Sequence, residues 1–237
     1  MLKLNRLIAL FCVLILSFSG HAQTDAPKGF NPVPNDDLLD FFDRRPIPPH
    51  AFRVLYIGDS LTFHSPAPGI WSYYSGMAAS DTEHDFVHRT AAHFQKKIKR
   101  PVEVFYSHGG GKIGAMLTFV KDRLWLAPDL IILQGGENDP FDETFYANYR
   151  DLLEVFPRTP RIVLSDWKNP TKRDFEKEEA TKRHLQFIDL VTIQTEPDTA
   201  GNAGPFHHPG VAWHPNNIGM QRIAEEIDRT FDTMHLR

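Results

Sequence analysis

Cysteine is almost absent from this chain: of 237 residues only Cys12 carries a thiol, and it lies in an apolar N-terminal stretch. Beyond that stretch no disulfide forms, and cysteine nucleophiles, zinc-thiolate centres and iron-sulfur ligation are excluded with it. A dense basic run is missing too. Lys and Arg total 26 against 30 Asp and Glu, and two of the basic residues, Lys3 and Arg6, sit in the N-terminal stretch. That mildly acidic balance argues against a nucleic-acid surface. No His-Glu-x-x-His occurs, and His64, His84, His88 and His93 lack carboxylates at ligand spacing, so neither a metal nor a cofactor is expected; His84 and His88 would meet only on a helix that begins early.

The apolar run Leu7 to Phe18 is too short for a comfortable membrane span, follows two basic residues and ends in Ser19-Gly20-His21-Ala22. This pattern predicts a secretory signal peptide over residues 1–22, an exported periplasmic or secreted product, and no stable membrane span once the leader is removed. The remainder, about 215 residues, suffices for one sizeable core. Residues 23–50 hold Pro27, Pro32, Pro34, Pro46, Pro48 and Pro49 and read as an extended lead-in, which leaves residues 51–237 as the domain. Nothing in the sequence speaks to oligomeric state.

The domain opens on the apolar run Phe52 to Ile57, which stops at Gly58-Asp59-Ser60-Leu61. Its length and its β-branched and aromatic content predict a buried strand, and the glycine lets the backbone turn where the strand ends. In open α/β sheets chemistry collects beyond the carboxyl ends of strands, so Ser60 is the first nucleophile candidate; its plainer use is to cap a helix. The following loop offers Phe63, His64, Trp71 and Tyr73 or Tyr74 as pocket walls, although aromatics more often fill the layer under a sheet. A helix is expected over Asp85 to Lys99, a strand over Pro101 to Tyr106, then the turn Gly109-Gly110-Gly111 and a helix from Ile113 to Leu126. Three glycines leave backbone N–H groups open to an anion or a developing oxyanion, or else serve only a tight turn. Neither a phosphate-binding P-loop nor Gly-x-Gly-x-x-Gly matches this turn.

A third strand is predicted over Asp129 to Leu133, with Gly136-Glu137-Asn138-Asp139 after it, then a helix over Phe145 to Phe156 and a strand over Arg161 to Leu164. A charged helix over Lys172 to Gln186 and a strand over Phe187 to Ile193 follow. Five short apolar strands alternating with helices specify a parallel sheet covered on both faces. Right-handed crossovers then bring Ser60, the glycine turn and Asn138 to one rim. Near the C-terminus, His214 precedes Pro215 at the start of a helix containing Ile223, Ala224, Ile227 and Phe231, which suits a base held on a loop, with Trp213 beside it as a further pocket candidate.

With these residues assembled, the chain resembles the SGNH hydrolases, the GDSL-like lipase and esterase superfamily. Gly58-Asp59-Ser60-Leu61 looks like its nucleophile block, Gly109 to Gly111 its glycine block, Gly136-Glu137-Asn138-Asp139 its G-x-N-D block, and His214-Pro215-Asn216 with Gly219 its histidine block. The resemblance implies a three-layer α/β/α sandwich around a flavodoxin-like parallel sheet of about five strands. It also implies Ser60 as nucleophile, His214 as base, and an oxyanion hole built from the Ser60 N–H, an N–H of the glycine block and Asn138; counting back from Leu117 favours Gly110 or Gly111, while the strand end also allows Gly109. Gly58, Asp59 and Gly136 would be supporting residues.

The family usually places Asp three residues before the histidine, and Val211 stands there instead. We read a Ser-His dyad in which a backbone carbonyl from Pro209 to Val211 can accept the Nδ1 hydrogen; the alternative partner is a remote carboxylate, Asp59 or Asp139, although each is placed to brace a loop. The expected activity is an acyl esterase, foremost a carbohydrate O-acetylesterase, acting on an acylated carbohydrate or other small ester. Acyl transfer to a sugar and carbohydrate binding on a disabled hydrolase fold are the alternatives.

Overall fold

The computed structural model describes residues 47–65, 74–107, 111–196, 199 and 208–236. The expected leader, most of the proline-rich lead-in, Trp71, Tyr73, Gly109, Gly110 and His207 lie outside the described residues. Strands β1 (Phe52–Ile57), β2 (Val102–Ser107), β3 (Leu130–Leu133), β4 (Arg161–Leu164) and β5 (Gln186–Ile188) pair in parallel in the order β2-β1-β3-β4-β5. This is the expected flavodoxin-like order, and its central strands read as continuous apolar runs because helices cover both faces. Every residue of β2, β3 and β4 is buried. Arg161 of β4 is tolerated there because its guanidinium donates to the carbonyls of Leu152, Leu153 and Phe156, at the C-terminal end of the helix that precedes β4.

Helix α1 (Phe86–Lys97) lies on one face, α2 (Ile113–Lys121) and α3 (Glu143–Glu154) pack together on the other, and α4 (Pro170–Lys182), α5 (Leu190–Gln194), α6 (Pro209–Ala212) and α7 (Asn217–Thr233) follow. The chain thus forms a three-layer α/β/α sandwich. Phe94 of α1 and Phe231 of α7 join those helices, with ring centroids 4.3 Å apart. Caps mark the helix starts: Asp85, Asp142, Asn169, Asp189 and Asn216 each accept a backbone N–H from the first turn.

Some expected elements end early: the charged helix expected to reach Gln186 stops at Lys182 and Gln186 opens β5, and two more are cut short for reasons visible in the packing. The helix predicted from Ile113 to Leu126 stops at Lys121, and a short 3-10 turn covers Leu124–Leu126. Leu124 and Trp125 are exposed, so the apolar stripe that made the longer helix plausible has no core to face. The strand expected over Phe187 to Ile193 ends at Ile188, where Asp189 caps α5 and Leu190 and Ile193 enter the core from a helix. Local capping overrides the β-branched content of that segment.

In register, Ile57 of β1 stands opposite Ser107 of β2 and Leu133 of β3. The three strands therefore finish level, and the segments after them leave the sheet side by side. The chain also reverses direction here, since β2 and β3 lie on opposite sides of β1. That is the crevice position of doubly wound folds.

Candidate active site

The turn after β1 is built to hold Ser60 clear of the sheet. The Gly58 N–H donates to Ser107 O (2.9 Å), and a Cβ at Gly58 would lie 1.9 Å from Thr62 Oγ1, so only glycine fits. The Asp59 carbonyl accepts Thr62 N–H and Phe63 N–H, both at 3.0 Å, while its Oδ1 accepts Leu61 N–H at 3.1 Å. These bonds satisfy the backbone around Ser60. The Ser60 carbonyl takes Met77 N–H (2.9 Å), and among the described residues its own N–H has no partner.

From the far end of the chain, α6 and the turn after it bring His214 to the same rim. His214 N–H donates to Val211 O (3.0 Å), and the Asn216 side chain caps α7 immediately after it. Ser60 Oγ and His214 Nε2 lie 2.7 Å apart, although 154 residues separate them in sequence. The imidazole is only 2% exposed. Burial pulls its pKa down to about 3; the carbonyls of Val211 and Gly210 favour the charged ring, while the charges of Lys168 and His64 oppose it. Its Nδ1 is buried with no hydrogen-bond partner among the described residues, so the carbonyl expected to orient it makes no hydrogen bond to Nδ1. The Val211 carbonyl accepts the His214 backbone N–H, and with the Gly210 carbonyl it favours the charged ring without meeting Nδ1 in hydrogen-bond geometry. The Trp213 indole lies against the imidazole instead, with ring centroids 3.7 Å apart and planes 31° apart, and Lys168 Nζ lies 3.3 Å from the indole centroid.

After β3, Asn138 faces the same space, with Nδ2 donating to Gly111 O (3.1 Å) and its second amide hydrogen free of that bond. Gly111 adopts φ +79°, and a Cβ there would meet Asn138 Nδ2 at 2.9 Å. Asp139 Oδ2 accepts Ile113 N–H at the start of α2 (3.0 Å), and Lys172 Nζ donates to the carbonyls of Gly136 and Asp139. Both contacts brace the loop that carries Asn138. A cavity of about 360 Å3 is lined by Ser60, His64, Met77, Gly111, Asn138, Gly210, Trp213 and His214. Of the residues expected from sequence, Ser60, His64, Gly111, Asn138, Trp213 and His214 meet there, whereas Gly58, Asp59 and Gly136 stand behind it as loop supports. Trp71 and Gly110 are outside the described residues.

Phe63 takes the plainer of the two uses open to it. It is buried and packs on Tyr106, with ring centroids 4.6 Å apart, so it fills the layer beneath the site instead of walling the pocket. Met77 and Gly210 were missed because an apolar residue and a loop glycine carry no chemical signature of their own. Of the histidines considered for a metal, His84 and His88 direct Nδ1 to the cap residues Asp81 and Asp85. A larger hollow, about 520 Å3, lies between α1 and α7, but its lining has no nucleophile paired with a base.

No family model matches the chain, and no curated protein matches it. Solved structures do. The psychrotrophic esterase EstA from a Pseudoalteromonas species is 13% identical, with 76% of this chain and 97% of that one covered and a TM-score of 0.53. TesA is 15% identical, with 76% and 97% covered and a TM-score of 0.56. A variant of Axe2, an acetylxylan esterase from Geobacillus stearothermophilus, is 17% identical, with 78% and 96% covered and a TM-score of 0.54. At these identities the likeness is one of fold.

Proposed function

We propose that the protein is an exported, serine-dependent esterase of the SGNH type. The observation that carries this reading is the 2.7 Å contact between Ser60 Oγ and His214 Nε2 in a cavity that also receives Asn138. His214 takes the Ser60 proton as Oγ attacks an ester carbonyl, then returns it to the departing alcohol oxygen; the same ring next activates the water that releases the acyl group. The unpartnered Ser60 N–H, the Asn138 amide and the Gly111 turn meet the charge that grows on the carbonyl oxygen. Neutral His214 is the form the first step needs, and its low pKa keeps it neutral through ordinary working pH.

The substrate is a short acyl ester, foremost an acetyl group on a carbohydrate. The small cavity, the Trp213 indole on its wall and the fold shared with an acetylxylan esterase support this choice. Acyl transfer to a sugar hydroxyl uses the same acyl-serine and differs only in the second nucleophile. A phosphonate probe should label Ser60 once per chain, and a panel of nitrophenyl esters with acetylated xylan should give acetate release that disappears in Ser60→Ala. Labelling elsewhere, or turnover that survives Ser60→Ala, would refute the assignment. The unpartnered Nδ1 favours one rival, a carbohydrate-binding protein on a disabled hydrolase fold. Sugar binding unchanged by Ser60→Ala, with no turnover on any ester, is its signature.

A further inference from the structure

Four groups surround the carbon that Ser60 attacks, and three of them already have places. Ser60 Oγ is one. The carbonyl oxygen faces the Asn138 amide and the Gly111 turn, and the departing alcohol oxygen faces His214, which returns the proton to it. Trp213, stacked on that imidazole, and Gly210, in α6 just before it, therefore border the alcohol. Of the described residues that line the cavity, His64 and Met77 remain, and of these two only Met77 is apolar. The fourth group, the acyl chain, is apolar as well.

Met77 is fixed where it stands. Its N–H donates to the Ser60 carbonyl (2.9 Å), so it is tied to the nucleophile's own backbone. Ala79 N–H donates to Gly76 O (3.2 Å), which closes a tight turn over residues 76–79, and a Cβ at Gly76 would lie 2.5 Å from the Leu61 carbonyl oxygen. Within that turn Ala78 holds φ +74°, a conformation usual for glycine that the surrounding contacts must enforce on alanine. The turn is anchored on both sides, by His64 N–H on Ser75 O (2.9 Å) and by Ser80 N–H on Asn217 Oδ1 at the start of α7 (2.7 Å). Methionine side chains bend to fit, but this one packs against Ala78 and Val211, both fully buried, and has little room to withdraw.

We propose that Met77 is the specificity-determining residue for the acyl group: its side chain ends the acyl pocket, so that acetyl fits and a longer chain meets the thioether. This role rests on the esterase reading above. A methyl group buries against Met77 without displacing it, whereas a longer chain has to push aside a side chain whose backbone is held to Ser60 and whose far side is packed. Removing Cγ, Sδ and Cε opens the pocket toward Val211 and Ala78, whose apolar surface then receives the added methylenes. Trp213 stands on the alcohol side and leaves acyl length alone.

The test measures kcat/KM for nitrophenyl acetate and butanoate in the parent, Met77→Ala, Met77→Val and Trp213→Ala. The parent should fall steeply from acetate to butanoate. Met77→Ala should raise butanoate relative to acetate about tenfold or more, the usual worth of a methylene in an apolar pocket. Met77→Val leaves a smaller hole and spares the fold, and should move the ratio the same way by less. Trp213→Ala should slow both esters and keep their ratio. A second arm needs no turnover: methylboronic and propylboronic acid place an alkyl group where the acyl chain goes. Ser60 Oγ forms the O–B bond, its proton passes to His214, and boron becomes tetrahedral and anionic, which boron NMR reads along with the dissociation constant. Propylboronic acid should gain on methylboronic acid in both Met77 variants. Adducts and turnover whose chain-length ratio neither Met77 variant moves, or a ratio moved by Trp213→Ala instead, would refute the acyl assignment alone. No boronate adduct and no phosphonate label at Ser60 would refute the esterase reading, and the acyl assignment with it.

Discussion

Replacing Val211 by Asp would restore the residue that the resembled family carries three positions before its histidine, so it is the sharpest test of how His214 is held. Val211 is 1% exposed and packs with Met77 and Ala78 in a small apolar cluster on the cavity's flank. An aspartate built there loses the buried valine, about 2 kcal/mol of apolar transfer, and places a carboxyl where no donor waits. The net loss should be about 3 kcal/mol or more, with the new carboxyl driven up in pKa and left neutral by burial. For a domain of this size that lowers the melting temperature on the order of 10 °C. A neutral carboxyl pointing at methionine neither orients Nδ1 nor stabilises an imidazolium, so kcat on nitrophenyl acetate should change less than about threefold. The acid limb of the pH–rate profile should not move up toward the ordinary histidine range. Scanning calorimetry and steady-state kinetics on the same preparation decide the matter. A variant many times faster than the parent at an unchanged melting temperature would show that position 211 addresses Nδ1 after all and that the apolar-cluster argument is wrong.

Asn138→Ala should lower kcat roughly a hundredfold, on the order of 3 kcal/mol for one oxyanion donor, while the melting temperature holds, because Asn138 is exposed and contributes one bond to Gly111; a loss confined to KM would remove it from the oxyanion hole. The depressed pKa of His214 predicts acid sensitivity. Unfolded histidine binds a proton near pH 6.5 and the buried ring only near 3, so between those values the unfolded state holds the extra proton and stability falls as pH falls, by up to about 1.4 kcal/mol per pH unit from this group. Denaturant titrations of His214→Asn should show a shallower pH dependence than the parent across that window, by up to one proton; equal slopes would mean the ring is not held neutral by burial.

Much of the scaffold is legible along the chain because its signals are local. Apolar runs of four to six residues marked β1 to β4, and the glycine at position 58 marked a turn that tolerates no Cβ. His214 before Pro215 and Asn216 announced a loop at a helix start, and Asn216 does cap α7. Where local signals conflict, the reading slips: Leu124 and Trp125 look like a helix face until the surrounding layer is known to end, and the apolar run after Ile188 looks like a strand until Asp189 caps it. What tertiary structure alone decides is adjacency. The level ends of β1, β2 and β3 and the order of the sheet put Ser60 against His214 across 154 residues, send Phe63 inward onto Tyr106, and leave Trp213 on the cavity wall. The same packing sets Glu137 between Gln134 and Trp167 and turns Val211 toward Met77. Neither is visible in one dimension, because the burial and charge state of a side chain depend on which distant segments close over it.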